Sequence, residues 1–335
     1  MPLAPLVDPF GRTVRDLRIS ITDRCNFRCT YCMPAEGMVW LAREELLSFE
    51  EIVRVARVCV ERFGVDGLRL TGGEPTVRAH LAVLVGMLSR LVVPTSGRPV
   101  DLALTTNGVT LPLLAADLRA AGLGRINISC DSLRPERFLA LARRDGLERV
   151  LAGIDAAVCA GFSPIKLNVV MIRGVNDDEA VDFARFGRER GVQVRFIEYM
   201  PLDASGGWSL DQVVPAEETV AAIDAVYPLE PVGGGSEPAA RYRYRDGRGE
   251  IGVIPSVTRP FCGDCDRIRV TAEGQLRTCL FSVDEHDLRS VMRSGGSDDD
   301  LAGAVRAAVG TKWAGHSIGK VNFVRPSRSM SQIGG

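Results

Sequence analysis

The sequence predicts an α/β fold: an incomplete (β/α)6 barrel followed by a smaller C-terminal region. Three observations predict it. Six short apolar runs alternate with stretches of helical period between residues 17 and 199. The runs are close to continuously apolar, as in Leu167-Asn168-Val169-Val170-Met171-Ile172, which suits strands covered on both faces. Polar motifs stand at the C-terminal ends of five of the six runs, the rim on which parallel α/β folds collect their chemistry.

The first strand is expected over 17–22. A helix follows over 49–63, where Ile52, Val53, Ala56, Val60 and Phe63 recur at helical spacing, and Ser48 with Glu51 reads as a capping box. The second strand, 67–71, leads to a helix over 80–91. The third, 101–106, ends at Asn107-Gly108 and precedes a helix over 111–121. The fourth, 125–130, is followed by helical segments over 135–142 and 147–160. The fifth, 165–172, precedes a helix over 178–190, and the sixth covers 192–199. Strands separated by helices imply parallel units wound with one hand. Six units fall short of the eight that close a barrel, hence the open form.

Beyond Pro201 the pattern changes. A loop over 203–208, a helix over 216–226 and a Gly-rich linker over 231–238 come first. Runs of period two then flank Asp246-Gly247 (241–245 and 250–254) and Glu273-Gly274 (267–271 and 275–280), two hairpin signals. Helices are expected over 284–293 and 299–309. The domain division is placed at 10–229 and 230–335, with no internal repeat.

The composition, 46% hydrophobic and 25% charged over 335 residues, is that of a soluble globular protein. A net charge of −1 sets up no whole-molecule field for nucleic acid or an anionic membrane. The N-terminus has no signal-peptide pattern, and no apolar run approaches the ~18 residues of a membrane span. A cytoplasmic protein without nucleic-acid or membrane partners is expected. Among the basic residues only Lys166, Lys312 and Lys320 are lysines, so Lys166 inside an apolar strand stands out. Nine cysteines in such a compartment point to metal or catalysis more than to disulfides. Two triads account for six; Cys59, Cys130 and Cys159 read as small buried hydrophobes.

Cys25, Cys29 and Cys32 form C-x3-C-x2-C directly after the first strand. Three thiolates on one short loop can hold three irons of a four-iron cube and leave the fourth open to a small molecule. The alternatives are zinc completed from afar, since the one other Cys or His between Met1 and Phe63 is Cys59 on an apolar helix face, or three unrelated thiols. Cys262, Cys265 and Cys279 form C-x2-C-x13-C in the second region, and zinc completed by His286 or His316 is the alternative there. Beside this triad, Arg267 and Arg269 share one strand face, with Arg277 nearby. Guanidiniums side by side call for an anion, and a phosphate group is the natural partner; a solvated strand face is the plain alternative. Arg18, Arg69, Lys166 and Arg195 interrupt apolar strands. Charges inside a barrel are paired or face a wet cavity. Converging cations make a pocket for a polyanion such as a nucleoside triphosphate; ion pairs with Glu198, Glu74 or Asp131 are the alternative.

The run from Asp16 to Pro34, with Arg69-Leu70-Thr71-Gly72-Gly73-Glu74-Pro75, Arg195-Phe196-Ile197-Glu198-Tyr199-Met200-Pro201, Phe261-Cys262-Gly263-Asp264-Cys265-Asp266-Arg267-Ile268-Arg269 and the ending Ile333-Gly334-Gly335, resembles the GTP 3′,8-cyclase family of molybdenum-cofactor biosynthesis, in the radical S-adenosylmethionine (SAM) superfamily. The resemblance spans nearly the whole chain. It implies two 4Fe-4S clusters, one on Cys25, Cys29 and Cys32 and one on Cys262, Cys265 and Cys279. It implies SAM contacts from Tyr31, Gly73, Ser129 and Met200. GTP would be held by Arg18, Arg69, Thr105, Lys166, Arg195, Arg267 and Arg269, with the guanine edge on the second cluster. Arg267, Arg269, Gly334 and Gly335 would be catalytic, the Gly-Gly tail reaching into the site. The resemblance also implies an external electron donor, a downstream cyclic pyranopterin monophosphate synthase, and a monomer or homodimer. A radical SAM peptide-modifying enzyme and a non-catalytic zinc-binding module are the rival readings. The basic strand positions and the Gly-Gly ending argue against the first; iron content decides the second.

Overall fold

The computed structural model describes residues 4–202, 206–233, 237–321 and 323–334. Six parallel strands follow one another in sequence and in space: β1 (Asp16–Ser20), β2 (Gly67–Thr71), β3 (Asp101–Thr106), β4 (Arg125–Ser129), β5 (Ile165–Met171) and β6 (Gln193–Glu198). Helices α1 (Phe49–Phe63), α2 (Leu81–Leu88), α3 (Leu111–Ala120), α4 (Pro135–Ala142), α5 (Leu147–Cys159) and α6 (Ala180–Arg190) stand between them. Arg18, Arg69, Thr105, Asn127, Lys166 and Arg195, one side chain from each strand, line a single cavity. A flat six-stranded sheet is about 24 Å across, so the sheet must curve around that cavity.

The helices form where the sequence periodicity places them. α1 opens on the expected capping box, Ser48 accepting from the Glu51 N–H and the Glu51 side chain from the Ser48 N–H. It ends at Gly64, whose φ of 74° is the left-handed conformation that favours glycine. Its face of Ile52, Val55, Ala56, Cys59, Val60 and Phe63 is buried; each large aliphatic side chain so covered contributes about 1.5–3 kcal/mol.

The chain beyond α7 (Ala216–Asp224) extends the sheet at both edges. β7 (Leu229–Val232), β8 (Ala240–Tyr244) and β9 (Glu250–Ile254) join one edge, β9 lying parallel to β6. β10 (Arg267–Val270), β11 (Gln275–Arg277) and β12 (His286–Asp287) join the other, β10 lying parallel to β1. The full order is β12-β11-β10-β1-β2-β3-β4-β5-β6-β9-β8-β7. Helices α8 (Leu288–Arg293), α9 (Asp298–Val309) and α10 (Met330–Ile333) complete the described residues.

Four expectations are corrected. Residues 231–232 are strand rather than linker, because they pair with Tyr242 and Arg241. The helix over 284–293 begins only at Leu288, since His286 and Asp287 pair with β11 and Asp287 caps the helix. Cys159 is exposed, while Cys59 and Cys130 are buried. It sits in the last turn of α5, whose inward positions are Val150, Ile154 and Ala157. The fourth concerns the lumen carboxylates and is given below. Parts of the loop over 203–208 and of the segment 231–238 lie outside the described residues.

Candidate active site

The first cysteine loop leaves β1 and is fastened from three sides. The Gly72-Gly73 turn lies on its backbone: the Gly73 N–H donates to the Thr22 carbonyl at 2.8 Å and the Glu74 N–H to the Arg24 carbonyl at 2.7 Å. A Cβ at Gly73 would run into the carbonyls of Asp23 and Arg24, so no side chain fits there. Buried Glu74 accepts from the Thr76 N–H at 3.0 Å, the Thr106 hydroxyl at 2.6 Å and the Asn107 N–H at 2.6 Å. Asn107 in turn donates to Asn26 in the cysteine loop at 2.6 Å. On the third side Tyr31 donates to Asp131 at 2.5 Å, and Asp131 also accepts from the Val170 N–H at 2.8 Å. Burial pushes the Asp131 carboxyl up to about 6 despite those two bonds.

The three thiols of this loop are desolvated together. Burial pushes Cys25 up to about 11 and Cys32 up to about 12, against the bonds from the Phe27 N–H and from Ser331 respectively. Cys29 is also raised, by burial and then by Cys32 and Asp131. Mutually close, buried thiolates lack a countercharge, which iron would supply. The Phe27 N–H lies 3.4 Å from the Cys25 sulfur, and the Phe281 N–H stands at the same distance from Cys279 in the second triad. Such N–H bonds to sulfur suit ligating thiolates, so both sets of residues fit an iron–sulfur centre. Completion of a zinc site by histidine is not set up. His286 Nε2 pairs with the Thr311 hydroxyl at 3.2 Å. His316 Nε2 lies 3.0 Å from the Ser256 carbonyl, and its Nδ1 receives the Ile318 N–H at 3.4 Å. Among the described residues no three His, Cys, Asp or Glu side chains are close enough to hold a single metal ion.

The lumen cavity, of about 330 Å³, gathers six of the seven residues expected for the substrate, Arg18, Arg69, Thr105, Lys166, Arg195 and Arg267, and is not lined by Arg269. Asp16, Asp101 and Arg125, the first residues of their strands, place its mouth at the N-terminal ends, opposite the rim that carries the first triad. The cations are paired, but not with Glu198, Glu74 or Asp131. Asp16 takes Arg69 at 2.9 Å and lies 3.8 Å from Arg18; Asp101 takes Arg69 at 2.8 Å; Glu237 takes Arg195 at 2.5 Å and lies 3.6 Å from Lys166. Glu198 instead accepts from the N–H groups of Ala216, Val257 and Thr258. It is the last residue of β6, at the rim end, and does not line the cavity. Burial, with repulsion from Arg195, brings Lys166 down to about 8, while Arg195 and Lys166 overcome burial and hold Glu237 at about 2.

Register adds what the sequence did not disclose. Arg277, Arg269, Arg18 and Arg69 are direct neighbours across β11, β10, β1 and β2, four guanidiniums in one row. Arg277 is neutralised by Glu285. Arg269, only 6% exposed, meets no carboxylate among the described residues; it donates to the Gly334 carbonyl. Burial depresses Arg269 well below the usual arginine range, with further repulsion from Arg18 and Arg267. Beside the row, buried Arg18 Nε, Arg267 Nε, Ser20 Oγ and Thr71 Oγ1 have no hydrogen-bond partner among the described residues. Unpartnered buried polar atoms in such number mark a site for a ligand.

The C-terminal segment comes to this place. Arg328 binds Glu285 at 2.6 Å and also Glu273. Ile333 is buried with Leu202, Phe281 and Ile318, against which Met200 packs. Gly334, at φ 82°, has Thr71 Oγ1 at 2.6 Å from where a Cβ would stand. Gly335 lies outside the described residues. Ser129 ends β4, half-buried. Asn107 and Asp131 stood in the rim motifs of the sequence without the roles seen here, and Ser331, Arg328, Arg12 and Lys312 were given no functional role there. Of the latter only Lys312 carried a signal, as one of three lysines.

An open β/α sheet with three cysteines at the end of its first strand defines a class. Residues 19–187 match the model of the Radical SAM superfamily, and residues 192–318 match Molybdenum Cofactor Synthesis C. The chain is therefore a radical SAM protein, a class that uses a 4Fe-4S cluster and SAM. It is 47% identical over 333 residues to a GTP 3′,8-cyclase of Streptomyces coelicolor, covering 98% of this chain and 96% of the relative. It is 47% identical over 337 residues to one of Corynebacterium glutamicum, covering 98% and 89%. The chain belongs to the GTP 3′,8-cyclase family. Among solved structures it resembles Streptococcus suis SuiB bound to the precursor peptide SuiA, with a TM-score of 0.60, 12% identity, and 88% of this chain and 67% of that one covered. That likeness shows the fold alone. Among the described residues no helix is long and apolar enough to cross a membrane.

Proposed function

We propose that the chain converts GTP to (8S)-3′,8-cyclo-7,8-dihydroguanosine 5′-triphosphate, the first step of molybdenum-cofactor biosynthesis. The observation that carries the substrate is the single basic cavity to which all six strands contribute, bordered by Arg267 on the strand that follows Cys265. Cys25, Cys29 and Cys32 hold the cluster that cleaves SAM, which supplies the carbon radical taking the 3′ hydrogen of GTP. Tyr31, Gly73, Ser129 and Met200 face SAM. Cys262, Cys265 and Cys279 hold a second cluster that receives the guanine edge. Arg18, Arg69, Thr105, Lys166 and Arg195 bind triphosphate and ribose, the phosphates taking Glu237's place on Lys166 and Arg195. Arg267, Arg269, Gly334 and Gly335 enclose the reacting end. Buried cations in a water-poor lumen bind phosphate more strongly than the same charges in water. An external donor supplies electrons, and a cyclic pyranopterin monophosphate synthase takes the product.

The test is anaerobic incubation of reconstituted protein with SAM, dithionite and GTP, with products identified by mass. The expected result is methionine, 5′-deoxyadenosine and an isomer of GTP, which gives its 3′ hydrogen atom to 5′-deoxyadenosine and takes up one electron and one proton; it has the mass of GTP, is separated from it by chromatography, and is absent when GTP or SAM is withheld. Colourless protein carrying zinc and no iron overturns the proposal.

Lys166 gives the binding step a pH dependence. In the free protein its ammonium is depressed to about 8; a bound triphosphate favours the charged form and raises it. GTP affinity is therefore full below about pH 8 and falls above it, by at most about tenfold per pH unit for one linked proton. Calorimetric titration from pH 7 to 9.5 is expected to show that slope, and Lys166→Met to bind weakly with the slope removed.

A further inference from the structure

Lys312 follows α9, its N–H bonded to the Val309 carbonyl at 3.0 Å, and is 3% exposed. Its Nζ donates to the Cys265 carbonyl at 3.0 Å and the Arg267 carbonyl at 2.7 Å, and stands 3.7 Å from the Cys265 sulfur. Three acceptors around one nitrogen are satisfied only by an ammonium, which has three N–H donors. A buried ammonium needs a countercharge, and among the described residues Lys312 forms no ion pair with a carboxylate. Asp8 and Asp266 act on it only at a distance, and the strongest attraction comes from the Cys265 sulfur. A cube held by three thiolates is anionic overall, and more so when reduced. Arg12 grips the same loop from the other end of the chain, donating to the Cys262 carbonyl at 2.6 Å while paired with Asp8 at 2.5 Å.

We propose that Lys312 is a positioning residue of the second centre: it holds the loop from Cys265 to Arg267 in place and, through the Cys265 sulfur, raises that cluster's reduction potential. The inference rests on the second cluster proposed above. A fixed positive charge beside a cluster stabilises the form with one more electron, and hydrogen bonds to ligand sulfur act in the same direction. The first triad is built differently. Its sulfur partners are neutral: the Phe27 N–H on Cys25, Tyr31 on Cys29 and Ser331 on Cys32. Arg28 there binds the carbonyls of Cys25 and Phe27, both at 2.8 Å. The two centres thus differ in the charge placed at the sulfur, and the second is the easier to reduce.

The experiment uses the full chain with Cys25, Cys29 and Cys32 all replaced by alanine, so that only the second centre can form. Iron and acid-labile sulfide are counted, and the cluster is titrated with dithionite under EPR, with Lys312 intact and as Lys312→Met, Lys312→Gln and Lys312→Arg. The expected result is a midpoint potential lowered in the Met and Gln variants and close to the parent in the Arg variant. If Met loses the cluster, Gln, which keeps a donor without the charge, decides the matter. Unchanged potential in whichever neutral variant retains iron overturns the inference. Loss of iron from all three variants, Arg included, overturns the tuning role. An iron-free parent instead overturns the second cluster itself, a separate outcome.

Discussion

Arg269→Ala is expected to slow GTP cyclisation by roughly 100-fold or more while SAM binding and the first cluster remain intact. Arg269 sits in the middle of the arginine row and has the Gly334 carbonyl as its acceptor. A buried guanidinium with so little compensation is a cost to the empty fold, and its depressed pKa, caused first by burial, expresses that cost. A bound polyanion reverses the balance. Removing one member of a desolvated charge pair costs about 2–5 kcal/mol, and about 3 kcal/mol is roughly 100-fold in rate. Two measurements are therefore expected to move apart. The thermal midpoint of the ligand-free protein stays level or rises, because a repulsive buried charge has gone, while product formation collapses. Arg269→Lys restores charge without the bidentate fork and is expected to recover only part of the rate. Equal loss of SAM cleavage and cyclisation would count against a local role, as would a full rate in the alanine variant.

Deletion of Gly334 and Gly335 is expected to abolish product while both cysteine triads still take up iron. The tail's anchorage lies upstream of the deletion: Arg328 on Glu273 and Glu285, and Ile333 in its apolar cluster. The truncated chain therefore keeps its fold and loses the backbone that binds Arg269 and lies beside Ser20 and Thr71. Gly334→Ala makes the same point without shortening the chain. Its methyl would press on Thr71 Oγ1 at 2.6 Å, at a φ of 82° that L-residues disfavour by about 1–2 kcal/mol. Arg328→Ala completes the series by releasing the anchor itself, so the tail should be trimmed by carboxypeptidase faster than in the parent. Wild-type rates from the truncated protein, with iron content unchanged, would show the tail to be inert.

Much of this site was legible because its signals are local. Cys25, Cys29 and Cys32 announce themselves by spacing and by the strand before them. The lumen cations did so because Arg18, Arg69, Lys166 and Arg195 each break an apolar run. The partners of those cations were not legible. Glu74, Glu198 and Asp131 are adjacent to the motifs, yet each spends its carboxylate on backbone N–H groups or hydroxyls. Asp16, Asp101 and Glu237 do the pairing. Cys159 shows the same limit, since one step around a helix separates a buried face from an exposed one.

The sequence by itself determined the six β-α units, the two cysteine triads and the set of basic residues inside strands. Periodicity and short spacing encode these, and each acts over a few residues. Only the tertiary structure decided that β10 pairs with β1, aligning Arg269 with Arg18, and that Lys312 and Arg12, 300 positions apart, close on one loop. Electrostatic compensation depends on distance and burial, and those quantities exist only once remote segments have been brought together.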